Sequence, residues 1–443
     1  MEPKKFEVGG KRATFVLIVT CLLYGINFMD RQVLSVVVAP MMKDLALTKT
    51  QMGWIQNFFL LSIGLLSIPI AYLVDRWSRP KAMGIMALIW SIATFVTGLG
   101  RGFTSVLLPR LFVGVGEAGF GPGGNALISA SYKPEERGHK LSIFNMFIGA
   151  GLIGGMLLGG FIAQAWGWAA PFFIFALPGT ILGFVAFYMQ DYPTKPKSET
   201  GDTLIRNCIL LWKIPCLRWL YVGYGLYCAM FFAITHWNIA ALMFKFKLSV
   251  AQAPLIFAGA IIISLPANPL WGWISDKWEQ RRPGGRMLTS ALCCAGASVT
   301  AIVYFVLTFL VYDRAFGDWG TVLIIGLVFF VIHTCMSAGI GGTVAAVTQT
   351  VVPVNLKSLS FGMAMTSLYV LGGGWGSGIA GMLADAMGTG QPGDWRGLIY
   401  GLMVTCIFGI LGTFCWLRGA HHYKTDILKV QSAADPIIMA KAR

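Results

Sequence analysis

AYLVDRW, residues 71–77, and GWISDKW, residues 272–278, each end a hydrophobic run on an acid, a base and a tryptophan. They lie 201 residues apart, so the first half of the chain has a counterpart in the second. Further along, the spacing grows to 219: Pro134 answers to Pro353, Gly155 to Gly374 and Gly159 to Gly378. Self-similarity on this scale is the mark of a duplicated unit, and in membrane proteins a duplicated helical bundle places the binding site where the repeats meet.

The composition makes that unit a membrane bundle. The chain is 56% hydrophobic and only 12% charged, with a mean hydropathy of +0.69. Crossing roughly 30 Å of hydrocarbon takes about 20 apolar residues. Twelve such runs are expected, at 13–39, 52–74, 80–100, 103–132, 139–164, 168–189, 216–244, 251–275, 285–311, 318–351, 358–384 and 396–418. The fold class is therefore an all-α integral membrane protein of two six-helix bundles, 13–189 and 216–418. A cytoplasmic N-tail (1–12), a Pro- and Lys-rich linker (190–215) and a C-tail (419–443) complete it.

A net charge of +15 suggests a nucleic-acid partner only if the bases share a face or a tail. Here they recur in every second loop, which places both termini in the cytoplasm and gives the chain a positive surface toward anionic headgroups. The nine cysteines contain no C-x-x-C and mostly occupy apolar runs, so no disulfide, metal site or cofactor is expected. MEPKKFEVGGKR precedes a run too long for a signal peptide and without a small-residue cleavage site, so it leads into the first membrane helix. No P-loop, nucleophile elbow or metal-ligand cluster points to an enzyme.

Four charges stand where a bilayer least tolerates them. INFMDRQVLSV (26–36) carries Asp30 and Arg31; RLFVGVGEAGFGPGGN (110–125) carries Arg110 and Glu117. Each costs on the order of 2.5–3.5 kcal/mol at a helix centre, so such groups face a bundle interior and find partners. At 1.5 Å per residue, Asp30 and Arg31 lie roughly 14–15 Å below the periplasmic end, Arg110 about 12 Å and Glu117 about 22 Å. Asp30 can pair with Arg110 and Arg31 with Glu117, or the roles can exchange. Asn27, Asp30 and Leu34 share a face, with Arg31 turned about 100° away.

A purely architectural network is the plainer explanation. Buried ion pairs are poor glue, however, and the second half offers only Phe329 and Met336 opposite Arg110 and Glu117 at the offset of 219. Burial disfavours a charged carboxyl while a neighbouring guanidinium favours it, so a small rearrangement can move Asp30 or Glu117 between charged and neutral forms. That would free Arg31 or Arg110 for an anion.

Other features have strong structural explanations. GAGLIGGMLLGG (149–160) and GGGWGSG (372–378) suit close helix packing. The seventh run carries Tyr221, Tyr224, Tyr227, Phe231 and His236, either a core stripe or a substrate surface. His333 in the tenth run is either a satisfied interior histidine or a proton carrier, and stands among the candidate substrate contacts. Asp75, Arg76 and Arg79, with Asp276 and Lys277, sit at cytoplasmic helix ends and are expected to latch a gate with Pro134, Glu135, Glu136 and Arg137.

G-x-x-x-D-[RK] at two places in a six-plus-six chain resembles the major facilitator superfamily, with Ala71 and Ser78 where glycines are common. DRQVLSVVVAPMMKDLALTKTQMG, IPIAYLVDRWSR, RLFVGVGEAGFGP and KLSIFNMFIGAG resemble its bacterial Spinster type, whose eukaryotic relatives carry lysophospholipids and sphingosine phosphates. That resemblance implies a proton-linked site at Asp30, Arg31 and Glu117. The helix-1 D-R and Arg110, Glu117 and Asn125 are also similar to the anion:cation symporter family, which takes up sugar acids with protons. Both imply alternating-access transport in a bacterial inner membrane by a monomer. The coupling ion would be the proton and the substrate a lipid or small organic anion. A non-transporting sensor is the alternative of another class.

Overall fold

The computed structural model describes residues 7–192, 201–310, 319–352, 356–389 and 393–434, and among them the regular elements are all helices. The side chains of Asp75, Arg76 and Pro134, and the whole of Pro353, lie outside the described residues. In chain order the helices are α1 (Gly10–Asp44), α2 (Lys49–Arg76), α3 (Arg79–Gly98), α4 (Phe103–Glu117), α5 (Phe120–Ser131), α6 (Pro134–Trp166), α7 (Ala170–Ala186) and α8 (Gly201–Lys213). There follow α9 (Pro215–Phe246), α10 (Gln252–Ser264), α11 (Ala267–Arg281), α12 (Gly285–Leu310), α13 (Trp319–Thr350), α14 (Lys357–Thr366), α15 (Gly376–Met387) and α16 (Trp395–Ala434).

Ten spans among the described residues are long and apolar enough to cross a membrane. The sixth and eleventh of the twelve expected runs differ for identifiable reasons. α7 has only 17 residues. The eleventh run is interrupted by a π-helical segment, Ser367–Gly373, between α14 and α15. Two other runs are broken by proline. Pro122 cannot donate to the carbonyl of Ala118, and the fourth run parts into α4 and α5 immediately after Glu117. Pro266 parts the eighth run into α10 and α11. The linker expected at 190–215 contains α8.

Local chemistry sets several boundaries. Thr48 caps α2 by accepting the Gln51 backbone N–H at 3.1 Å, and the Gln51 side chain accepts the Thr48 N–H at 3.0 Å. α9 begins at Pro215, where a missing N–H costs nothing.

The chain forms two compact units. Unit 1 is Met1–Lys197 with His236–Ala258 and Gly390–Trp395; unit 2 is Ser198–Thr235 with Gly259–Thr389 and Arg396–Arg443. Within unit 1, α1 packs against α6 and α3 against α7 and α4. Glycines set the first contact: a Cβ on Gly151 would meet the Gly25 carbonyl, and one on Gly155 would lie 2.5 Å from the Met29 carbonyl. Within unit 2 the same contact recurs. A Cβ on Gly372 would meet Cys228 and the Gly225 carbonyl, and one on Gly376 the Ala229 carbonyl. Gly25 and Met29 thus answer to Gly225 and Ala229 at an offset of 200, and Gly151 and Gly155 to Gly372 and Gly376 at 221. The sequence pairing of Gly155 with Gly374 is therefore two residues short, the extra residues falling before the π segment ends.

Apolar side chains fill the core and also cover much of the outer surface, while a few charges lie inside. Phe112, Phe161, Trp166, Phe184 and Phe414 are exposed, whereas Asp30, Arg110 and Glu117 are buried. A bilayer is the solvent that makes this arrangement favourable.

Candidate functional site

α1 is held against α6 by the Gly25–Gly151 and Met29–Gly155 approaches, one residue before Asp30. α4 is held just as closely: a Cβ on Gly114 would meet Ser62 and the Phe59 carbonyl, and one on Gly116 would lie 2.7 Å from the Met86 carbonyl. The small residues of GVGEAG thus let α4 approach α2 and α3, so that Arg110 and Glu117 arrive beside α1.

Two ion pairs result. Arg110 Nη1 lies 3.5 Å from Asp30 Oδ1, both side chains being nearly inaccessible to solvent. Arg31 Nε lies 2.7 Å from Glu117 Oε2; the glutamate is fully buried and the arginine 12% exposed. The assignment is thus Asp30 to Arg110 and Arg31 to Glu117. Thr94 of α3 donates its hydroxyl to Asp30 Oδ2 at 2.7 Å. Each guanidinium also covers an aromatic face, Arg31 over Phe28 and Arg110 over Phe59, both with Cζ 4.5 Å from the ring centroid. Glu117 is the last residue of α4, immediately before the break with α5.

The pairs are neutral overall and joined through adjacent residues of one helix. Shifting Asp30 shifts Arg31, so a change at one pair is felt at the other. Buried oxygen and nitrogen atoms on α1 and α2 lack hydrogen-bond partners among the described residues: both amide atoms of Asn27 on α1 and of Asn57 on α2, and Oε1 of Gln56. Gln56 precedes Phe59 by three residues and so shares the face on which Arg110 rests.

His236 belongs to unit 1, where Nδ1 lies 3.4 Å from Ser35 Oγ and the ring meets Trp237 edge to face. The other aromatic candidates belong to unit 2. Tyr227 is buried between Phe231 and Trp416, with ring centroids 5.9 and 6.1 Å away, and Tyr224 is buried as well. His333 Nδ1 lies 2.9 Å from the Ala297 carbonyl and its ring stacks on Phe330, the arrangement of a satisfied interior histidine. Asn125 donates to the Gly121 carbonyl of its own helical turn at 3.0 Å.

Of the expected gate residues, Arg79, Arg137, Asp276 and Lys277 find partners inside their own units, and Glu135 and Glu136 are exposed. Arg79 is buried against Asp191, 3.7 Å away, and against the Tyr192 ring at 4.0 Å, which ties the start of α3 to the chain leaving α7. Arg137 Nε donates to the Tyr132 carbonyl at 3.1 Å. Asp276 accepts from Arg286 at 2.9 Å, and Lys277 lies 3.9 Å from the centre of the Trp273 ring.

Sequence reading did not single out Thr94, Gln56, Asn57 or Phe59. The amide pair in QNFFLLS was a usable signal, since two consecutive amides in an apolar run invite the same question as a charge. Thr94 gives no such signal, because a helical threonine normally bonds its own backbone. Asn57→Leu is expected to leave stability unchanged or raise it by about 1 kcal/mol, since an unpartnered buried amide is replaced by an apolar group. Thermal unfolding of the purified protein, run beside a transport assay expected to show reduced activity, checks both halves of that trade.

The family described as Major Facilitator Superfamily matches residues 20–374. The chain is 24% identical over 433 residues to an MFS-type efflux pump of Mycolicibacterium smegmatis, covering 95% of this chain and 96% of that one. It is 24% identical over 464 residues to protein spinster homolog 1 of Xenopus laevis, covering 97% and 85%. It is 24% identical over 432 residues to a probable galactarate/D-glucarate transporter of Escherichia coli K12, covering 90% and 91%. Its fold is similar to the crystal structure of a bacterial homolog of the human lysosomal transporter Spinster, in its inward-facing and unoccupied conformation. That match has a TM-score of 0.80 and 21% identity, covering 94% of this chain and 99% of that one.

Proposed function

The chain belongs to the Major Facilitator Superfamily and is a membrane transporter, not an enzyme, and on that premise we propose that it moves organic anions by proton-coupled alternating access. The observation that carries this reading is the pair of buried guanidinium–carboxylate contacts, Asp30–Arg110 and Arg31–Glu117. Two cations and two anions balance. A proton taken by either carboxylate leaves one guanidinium uncompensated, and an anion restores neutrality in a medium where net charge is costly. Proton and anion thus raise each other's occupancy, which is the thermodynamic content of coupling. In this reading Asp30 and Glu117 carry the proton, and Arg31 and Arg110 receive the anion.

The substrate is an anionic amphipath of the lysophospholipid kind, a reading supported by similarity to a Spinster homolog over most of both chains. The buried amides of Asn27 and Asn57 favour a second reading, a small hydroxylated anion such as a sugar acid, because an acyl chain offers those groups nothing to bond. The protein works as a monomer in a bacterial inner membrane with both termini in the cytoplasm.

A thermal-shift screen setting lysophospholipids against sugar acids and simple carboxylates, followed by flux into proteoliposomes under a pH gradient, tests the proposal. Stabilisation by one anion class, with accumulation of that anion when the gradient is imposed, is the expected result. Stabilisation without counterflow would make the protein a sensor. Counterflow indifferent to the gradient would remove the proton.

A further inference from the structure

α8 lies immediately before α9 enters the membrane, separated from it by Ile214 alone. Its apolar residues do not all face the protein. Leu211 is fully buried, but Ile205, Ile209 and Trp212 are 62%, 51% and 41% exposed. Their spacing of four and three residues puts them in one stripe. Arg206 and Lys213 are exposed and project about 80–100° from the start of that stripe, along one flank. Arg218 is exposed one turn into α9. Across residues 195–218 the sequence holds five basic residues, Lys195, Lys197, Arg206, Lys213 and Arg218, against Glu199 and Asp202.

A helix with an apolar stripe exposed at Ile205 and Ile209 and continued by Trp212, which is partly exposed while its ring stacks on Tyr221 at 6.4 Å, and with bases along its edge, has the composition of one lying in a lipid interface. We propose that α8 is an in-plane membrane anchor, whose Ile205, Ile209 and Trp212 insert into the cytoplasmic leaflet while Arg206, Lys213 and Arg218 engage anionic lipid headgroups. Charge complementarity selects the occupant: the flank is basic and the adjoining leaflet is the one whose headgroups attract bases. α8 sits in the segment joining the two six-helix runs, so the lipid composition of that leaflet acts on the connector through it.

Hydrogen–deuterium exchange of the full-length protein in nanodiscs tests this, reading the peptide that spans 203–214. Phosphatidylcholine discs are set beside discs containing phosphatidylglycerol, with the neutral-detergent micelle as a third condition. Phosphatidylglycerol is expected to slow exchange by roughly tenfold relative to phosphatidylcholine. R206Q/K213Q is expected to lose that increment and keep the protection seen in phosphatidylcholine, whereas I209D exchanges fast in both bilayers. Unchanged protection across α1 peptides in each variant certifies the fold, and W212S replaces I209D should the latter not assemble. Equal protection of α8 in all three conditions for wild type and variants would overturn the proposal, as would protection gained only on adding soluble cytosolic protein.

Discussion

Arg110→Leu is expected to destabilise the purified protein by about 3–5 kcal/mol, the cost of leaving a buried carboxylate without its counter-charge. Asp30 is nearly inaccessible to solvent and among the described residues meets the Arg110 guanidinium at 3.5 Å and the Thr94 hydroxyl at 2.7 Å. Removing the first leaves Asp30 a hydroxyl and the field of Arg31, whose guanidinium is already paired with Glu117. D30N/R110L is expected to recover most of the loss, because an amide and a leucine bring no net charge into the bundle. Thermal unfolding of the two single variants and the double variant closes a cycle whose coupling term is the measurement. Additive losses would show that the two groups do not interact.

Glu117→Gln is expected to abolish concentrative transport while sparing exchange. A one-unit pH gradient sustains up to about tenfold accumulation for each proton carried with the substrate, since one unit corresponds to about 1.4 kcal/mol. With Gln at position 117 the amide can still accept from Arg31, so the site is retained, but it cannot take up and release the proton. The accumulation ratio in proteoliposomes should then fall to about one, with counterflow of the same substrate continuing. Asp30→Asn is the comparison, and whichever substitution collapses the ratio identifies the carrier. Full accumulation in both variants would take the proton out of the site.

The four-charge network was legible in the sequence because helical rise is constant. Counting residues from the membrane edge places Asp30, Arg31 and Arg110 at overlapping depths, and Glu117 within reach of an arginine side chain. The break after Glu117 was equally written there, in the proline at 122, although the fourth run was expected to continue unbroken. The role of the tyrosines at 224 and 227 was not legible. Residues three apart share a helix face whether that face meets a ligand or a neighbouring helix, and only tertiary packing shows Tyr227 against Trp416. α8 was hidden for another reason: its polar flank and the preceding Pro and Lys residues read as linker, and the stripe emerges only once a helix is granted.

The offset of 200 between the glycine contacts of α1 and α9 also fixes which residues answer to the charged pair. Met230 and Phe231 occupy the places that Asp30 and Arg31 hold in the first copy. The two repeats thus share the helix-to-helix seam, and the Asp–Arg pair stands in the first copy alone. A protein designer inherits a recipient site from that difference. An Asp–Arg pair transplanted to 230 and 231 would arrive in register, and the counter-charges on the partner helix are what would still have to be supplied.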